Sequence, residues 1–232
     1  MMVQNYADFV NELLEKGFSM GGGNDEGIYA VVPFSWNEEH PYDTPVTWHT
    51  GNPDTDPWEW RMRVLDERHD IAYSKVFFKK SGFITEAWFP YFLAARRKGL
   101  SFEEAFSCGT ISQFAKRIYD VIEANGHVPL HMIKELAHID KNDKSKFESA
   151  LTELQMKLYI TMCGRQQKTS LTGNDYGWYS TVFCTTEQFW GETVFEEASK
   201  LVPEEAVHAI QKQIKTINPE ADEKKMMKFI RG

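Results

Sequence analysis

The stretch from Gly126 to Thr185 limits the fold of this chain more than any other. Its apolar spacing changes character along its length, from short strand to helix, turn, helix, strand, polar loop and strand. His127-Val128-Pro129-Leu130 reads as the first strand. His131 to Ala137 reads as a helix, with Leu130, Ile133, Leu136 and Ala137 apolar. Asp140 to Asp143 is a polar turn, and Ser145 begins a further helix with Phe147, Ala150, Leu151 and Leu154 on its inner side. Met156 to Met162 nearly alternates as a strand. Gly164 to Gly177 is polar, and Trp178 to Cys184 returns as a strand of β-branched and aromatic residues. A helix over Thr110–Ala124 comes before all of these, with Ile111, Phe114, Ala115, Ile118, Val121 and Ile122 inward and Asn125-Gly126 as its stop. A helix-turn-helix followed directly by one β-hairpin is a winged helix-turn-helix.

In such a unit the third helix enters the major groove of DNA. Its inner set leaves Ser145, Lys146, Ser149, Thr152 and Glu153 facing solvent or a groove. The small hydroxyls of Ser145, Ser149 and Thr152 permit close approach to phosphates or bases. Lys144, Lys146, Arg165 and Lys168 supply charge for phosphates, and Gln166 and Gln167 lie at the base of the wing. These nine residues are the expected DNA-binding set, and double-stranded DNA is the expected partner. Charge limits this reading. Seven cations meet six acids between Gly126 and Thr185, in a chain of net charge −8. That balance counts against tight nonspecific binding over the whole surface, without forbidding a local basic face. Winged helices also serve as interaction modules, so a protein- or small-ligand-binding module without nucleic acid is an alternative.

The flanking sequence divides around this unit. Residues 3–16 form an amphipathic helix, stopped at Gly17. Gly21-Gly22-Gly23 comes before a β-type run, Ile28 to Val32. A phosphate-binding loop places its glycines after a strand, so these read as a connection. Pro33, Pro41, Pro45, Pro53 and Pro57 punctuate a long loop, with Trp36, Tyr42 and Trp48 to hold it down. Ile71 to Phe78 reads as a strand, Lys79 to Gly82 as a turn, and Phe83-Ile84 as a short return. Thr85 is the expected N-cap of a helix through Arg97, with Pro90 in its early part. Ser101 and Glu104 have capping-box spacing. In the tail, Thr186 caps a helix through Lys200, Pro203 opens one ending near Ile217, Asn218-Pro219 breaks it, and Glu220 to Arg231 makes the last. The whole is an α+β protein. An aromatic-rich α/β segment spans 1–108, the winged helix-turn-helix 109–185, and a helical tail packing on the core 186–232.

Aromatic residues are dense between Trp58 and Phe92. Most suit a core. Trp58, Trp60, Tyr73, Trp88 and Tyr91 are the candidates for a pocket or stacking platform for a base, with Arg61, Arg63, Lys79, Lys80, Arg96, Arg97 and Lys98 as basic neighbours. Asp54, Asp56, Asp66, Glu67 and Asp70, with His69, read as a charged helical face rather than paired catalytic carboxylates. His127, His131 and His138 do not share one helical face, and Cys108, Cys163 and Cys184 are not at zinc spacing, so neither metal nor cofactor is expected. Cys163 and Cys184 flank the polar loop on strands expected to pair, and are read as thiols. Three cysteines cannot all pair within one chain, and the expected compartment is the reducing cytoplasm. The N-terminus shows no apolar signal core, and no run approaches the roughly 18–20 apolar residues of a membrane span.

Two segments carry a resemblance: LTELQMKLYITMCGRQQKTSLTGNDYGWYSTVFCTTEQFWGE and, upstream, DIAYSKVFFKKSGFITEAWFPYFLAARRKG. They resemble a group of bacterial proteins related to the winged-helix alkyl- and crosslink-DNA glycosylases. The likeness to that related group spans most of the chain. The likeness to the glycosylases themselves is confined to the winged-helix portion. It implies a link to DNA repair and DNA binding. Those enzymes use a Gln-x-Gln or Gln-x-Asp motif to position the water that attacks the sugar. Gln155 and Gln166-Gln167 do not match that motif. Gln211-x-Gln213 spells it, but in a C-terminal helix after the winged unit, where it reads as a solvated face. The expected function is therefore DNA binding without the recognisable catalytic motif. A glycosylase with divergent catalytic residues is a further alternative.

Overall fold

Helix α1, Tyr6–Lys16, begins where the Asn5 side chain accepts from the Asp8 amide and ends at Gly17, whose φ of +92° is left-handed. A Cβ there would lie 2.0 Å from the Trp88 ring, so close packing as well as backbone conformation requires glycine. The computed structural model describes residues 3–33, 44–169 and 175–232. Trp36, Pro41 and Tyr42 of the proline-rich loop and the tip of the polar loop lie outside them.

After Gly17 comes β1, Phe18–Met20, a strand that apolar spacing alone does not announce. The expected strand at Ile28–Val32 does not form. Those residues run as turn and bend, with Ile28 and Ala30 buried in the core beside Met20. Helix α2, Pro57–Glu67, starts on the fully buried Asp56, whose carboxylate accepts from the amides of His49, Gly51 and Trp58. Strands β2, Ile71–Phe77, and β3, Lys80–Thr85, then pair antiparallel. Their turn is Phe78-Lys79, both residues at positive φ, not the expected Lys79–Gly82. Two left-handed residues match the twist of a tight hairpin.

Thr85 ends β3 and does not cap a helix; its hydroxyl donates to the Gly17 carbonyl at 3.0 Å. Helix α3, Phe89–Arg97, starts four residues later, with Pro90 in its first turn, where a missing amide hydrogen costs nothing. Ser101 and Glu104 do form a capping box on α4, Phe102–Ser107.

Next come α5 (Gln113–Asn125), β4 (Val128–Pro129), α6 (Leu130–Leu136), a single 3-10 turn (Lys141–Asp143) and α7 (Lys144–Met156). The long strands β5 (Ile160–Thr169) and β6 (Asp175–Thr185) follow. The tail splits into α8 (Thr186–Trp190), α9 (Glu192–Ser199), α10 (Pro203–Ile217) and α11 (Glu223–Arg231). The expected single helix to Lys200 breaks at Gly191, which has a φ of +68°.

These six strands form one antiparallel sheet in the order β1-β3-β2-β5-β6-β4, giving an α+β protein of mixed helix and strand. Tyr73 pairs with Met162, so the N-terminal strands and the β5–β6 hairpin are one continuous sheet. Strand alternation sorts side chains between layers. Ile71, Tyr73 and Phe83 face a core with α1 and α2. Ala72, Val76 and Ile84 face another with α3, α10 and α11. A third core joins α5, α6, α7 and the hairpin base through Ile118, Ile122, Ile133, Phe147, Leu154 and Phe183. Helices α9, α10 and α11 of the tail lie on α3, while α8 follows directly from β6 and touches the hairpin base.

Candidate nucleic-acid interface

Helix α7 has two faces with opposite fates. Phe147, Ala150, Leu151 and Leu154 are buried. So is Gln155, at 1% exposure: its Oε1 accepts from the Ser74 hydroxyl at 2.8 Å and the Lys75 amide at 3.0 Å, while its Nε2 donates to the Leu151 carbonyl. These bonds fix the C-terminal end of α7 against β2. On the other face, Ser145, Glu148, Ser149, Thr152, Glu153 and Met156 line an open cleft of about 670 Å³. Its opposite wall is Lys75 of β2, Lys79 of the hairpin turn, and Arg231 and Gly232 at the end of α11, with Lys157 beside them.

Three residues expected to face DNA, Ser145, Ser149 and Thr152, therefore meet in one concavity. The Thr152 hydroxyl donates back to the Glu148 carbonyl at 2.8 Å, so its proton is committed within α7 and it adds only a small side chain to the cleft wall. Among the described residues, Lys75, Lys79 and Arg231 form no ion pair, whereas Lys157 is 3.1 Å from Glu153. A second hollow of about 510 Å³ lies near the start of α7, lined by His131, Lys134, Glu135, Ile139, Asp140, Lys141 and Lys144. Lys144 belongs to this hollow and not to the cleft. Lys146 is exposed and paired with Asp143 at 2.8 Å. Arg165 stands on the hairpin, 3.0 Å from Asp66 of α2, and thereby ties β5 to that helix. Gln166 is exposed, and Gln167 donates to the Gly177 carbonyl. The side chain of Lys168 lies outside the described part of the structure.

Lys75, Lys79 and Arg231 escape a sequence-based search for site residues because they are far from α7 in the chain. One signal is present: Lys75 is the sole charged residue in the run Ile71–Phe78, and it alone in β2 is exposed.

The five aromatic pocket candidates do not come together. Trp60 is fully buried against Tyr6 and Phe9, and Tyr73 is buried beside Phe83 in the same core. Trp88 and Tyr91 pack with each other across the sheet, against the other core. Trp58 is exposed, with the Arg61 guanidinium 3.2 Å from its ring centroid. Close ring-on-ring packing fills the space a flat base would need.

Two of the expected basic neighbours are structural. Arg96 donates to the carbonyls of Val76, Met156, Phe229 and Ile230 at 2.7–2.8 Å. Those oxygens lie at the ends of β2, α7 and α11, where helix dipoles place negative charge. Burial lowers the Arg96 guanidinium to about 9, and the ring of carbonyls keeps it charged at neutral pH. Arg97, 8% exposed, bonds the Glu187 carboxylate at 2.6 Å, the Thr186 hydroxyl at 2.8 Å and the Leu158 carbonyl, and lies over the Tyr159 ring. Burial raises the Tyr159 phenol above its usual range despite that cation.

Gln211 and Gln213 are half-buried, correcting their reading as a solvated face. Gln211 contacts the Met227 sulfur at 3.2 Å, and Gln213 donates to the Lys16 carbonyl at 2.9 Å, joining α10 to α11 and α1. Neither lines the cleft. The acidic patch is likewise tied up: Glu67 with Arg63, Asp70 with Arg68, Asp66 with Arg165, and Asp56 as a helix cap.

Fold and cleft together define a mixed α+β protein that presents one helix face to a concavity edged with cations. The chain belongs to the AlkZ-related family, whose family model matches residues 3–231. That name records a relation to DNA glycosylases. No curated protein and no solved structure matches the chain. Among the described residues, no helix is long and apolar enough to cross a membrane.

Proposed function

We propose that residues 109–185 form a winged helix-turn-helix, and that the protein uses the cleft face of α7 to bind double-stranded DNA. The order α5-β4-α6-α7-β5-β6 is the order of such a unit, with β4 paired to β6 as the third strand beside the hairpin. One observation carries the DNA reading: Ser145, Ser149 and Thr152 face a cleft whose far wall holds Lys75, Lys79 and Arg231, which have no acidic partner among the described residues. Short hydroxyl side chains let a phosphate backbone approach, and the cations opposite neutralise it. The hollow near the start of α7 adds Lys134, Lys141 and Lys144, with Glu135 and Asp140 lining it beside them. Relation to DNA glycosylases supports the same partner.

Binding here is local and of moderate strength. Glu148 and Glu153 share the cleft and reduce its net charge. Neither glutamine of the tail reaches it, so the cleft is a binding surface in this reading and no step of base excision is assigned to it.

Anisotropy of a labelled duplex, titrated with the full chain over a salt series, tests the proposal. Affinity should fall linearly with salt on logarithmic axes. Ser149→Glu places a carboxylate at an exposed cleft position and should abolish binding while the far-UV circular dichroism stays unchanged. Absence of salt-dependent binding in dilute buffer, or wild-type binding by Ser149→Glu, overturns the reading and leaves a protein- or small-ligand-binding module. Release of a modified base from alkylated DNA would instead establish a glycosylase with divergent residues.

A further inference from the structure

The base of the β5–β6 hairpin holds a set of side chains that the proposed interface does not use. His127 lies one residue before β4, Cys163 is on β5 and Cys184 is on β6. Val128 pairs with Phe183, which sets His127 level with Cys184 on the neighbouring strand. Thr161 pairs with Cys184, and the register shifts between Met162 and Gly164. Cys163 falls in that bulge, two residues from Thr161. The three donor atoms lie within 4.8 Å of one another. Cys184 is fully buried, Cys163 half-buried and His127 exposed, so the set opens toward solvent on the imidazole side.

We propose that His127, Cys163 and Cys184 bind a thiophilic divalent cation, Zn²⁺, that crosslinks β4, β5 and β6. Two thiolates and an imidazole are the donors a four-coordinate zinc centre takes, with the fourth position left to water. Metal–sulfur bonds of about 2.3 Å and metal–nitrogen bonds of about 2.0 Å put tetrahedral donors about 3.5–3.8 Å apart. To reach it the donors, within 4.8 Å of one another, would have to draw in by about 1 Å, a movement open to the exposed His127 ring and the half-buried Cys163 side chain. On binding, each thiol gives its proton to solvent and the imidazole binds in its neutral form. The site's position has a structural consequence, because β4 is the edge strand of the sheet and is only two residues long. A cation held by all three strands fastens that edge and fixes the root of the hairpin.

Co²⁺ is the probe, added to the full chain carrying Cys108→Ser to remove the remaining thiol, under a non-thiol reductant. One equivalent should give a thiolate-to-cobalt charge-transfer band in the near ultraviolet, lost on adding Zn²⁺. Cys163→Ser should lose most of that band. His127→Ala, at an exposed position that tolerates truncation, should weaken Co²⁺ binding by roughly tenfold or more. Zn²⁺ should raise the melting temperature of the parent chain and leave that of Cys163→Ser unmoved. No charge-transfer band, or a band of undiminished intensity in Cys163→Ser, overturns the site. Duplex binding by the same variants is read separately, so loss of the DNA reading leaves this result standing.

Discussion

The aromatic N-terminal half and the helix–hairpin unit are built on opposite plans. Between Trp58 and Phe92 large rings fill both sides of the sheet: Phe77 and Phe229 stack at 3.7 Å, and Trp60 has no exposed surface. In the unit from α5 to β6 the core is mostly aliphatic, and the outer face of α7 carries serines, threonine and glutamates over open space. Aromatic density therefore marks where the molecule is solid. The concavity lies at the seam, where α7 meets β2 and the end of α11. Neither half supplies it alone, since one wall comes from each side of the sheet's midline and a third piece from the tail.

The most severe way to break this contrast is to empty the solid half. Trp60→Ala should cost about 3–5 kcal/mol in chemical denaturation, as expected when a large buried ring leaves a cavity. Trp58→Ala, at a ring 41% exposed and covered on one face by Arg61, should cost about 1 kcal/mol or less. Equal losses at the two positions would mean that Trp58 is as integral as Trp60. Arg96→Met comes next, at about 3 kcal/mol, because it leaves four carbonyls at the ends of three elements without that donor. If Arg96 were instead a DNA-facing cation, its removal would weaken duplex binding and leave the denaturation midpoint in place.

Much of this arrangement is legible in the residues, and the illegible parts share a cause. Helices α5, α6 and α7 follow from 3.6-residue spacing, and the Ser101–Glu104 capping box from two residue types at fixed distance. Local rules fix those features. The Phe78-Lys79 turn escapes because its left-handed positions carry neither glycine nor asparagine, so the long-range pairing of β2 with β3 imposes the geometry. Thr85 has the chemistry of a helix cap, yet its hydroxyl is taken by Gly17 across the sheet. The cleft joins Lys75, Ser149 and Arg231, and the proposed metal set joins His127, Cys163 and Cys184. Such groupings leave no spacing signature, since three separate strands or elements contribute one residue each.

A milder change sharpens how α7 is held. Gln155→Leu keeps the side chain's bulk and deletes its bonds to Ser74, Lys75 and Leu151. The loss should be about 1–3 kcal/mol, mostly from the Ser74 hydroxyl and the Lys75 amide left without that partner. Adding Ser74→Ala to that variant should recover part of it, because the orphaned hydroxyl is gone. A double variant whose losses simply add would mean that Ser74 and Gln155 act independently, and that α7 is fixed by its apolar face alone.

The smallest effect on stability, and the most informative about function, is expected at the rim of the cleft. Lys75→Ala and Lys79→Ala each remove a cation that has no acidic partner among the described residues. Each should move the unfolding free energy by no more than about 0.5 kcal/mol. Duplex affinity should nonetheless fall in both, and the slope of log affinity against log salt should decrease by about 1 for each phosphate no longer neutralised. Lys157→Ala is the comparison within the same concavity. Lys157 is already neutralised by Glu153 at 3.1 Å and donates to the Thr110 carbonyl, so its removal should change the salt slope less than either of the others. A larger slope change at Lys157 than at Lys75 or Lys79 would place the phosphate path along α7 itself and away from the β2 wall.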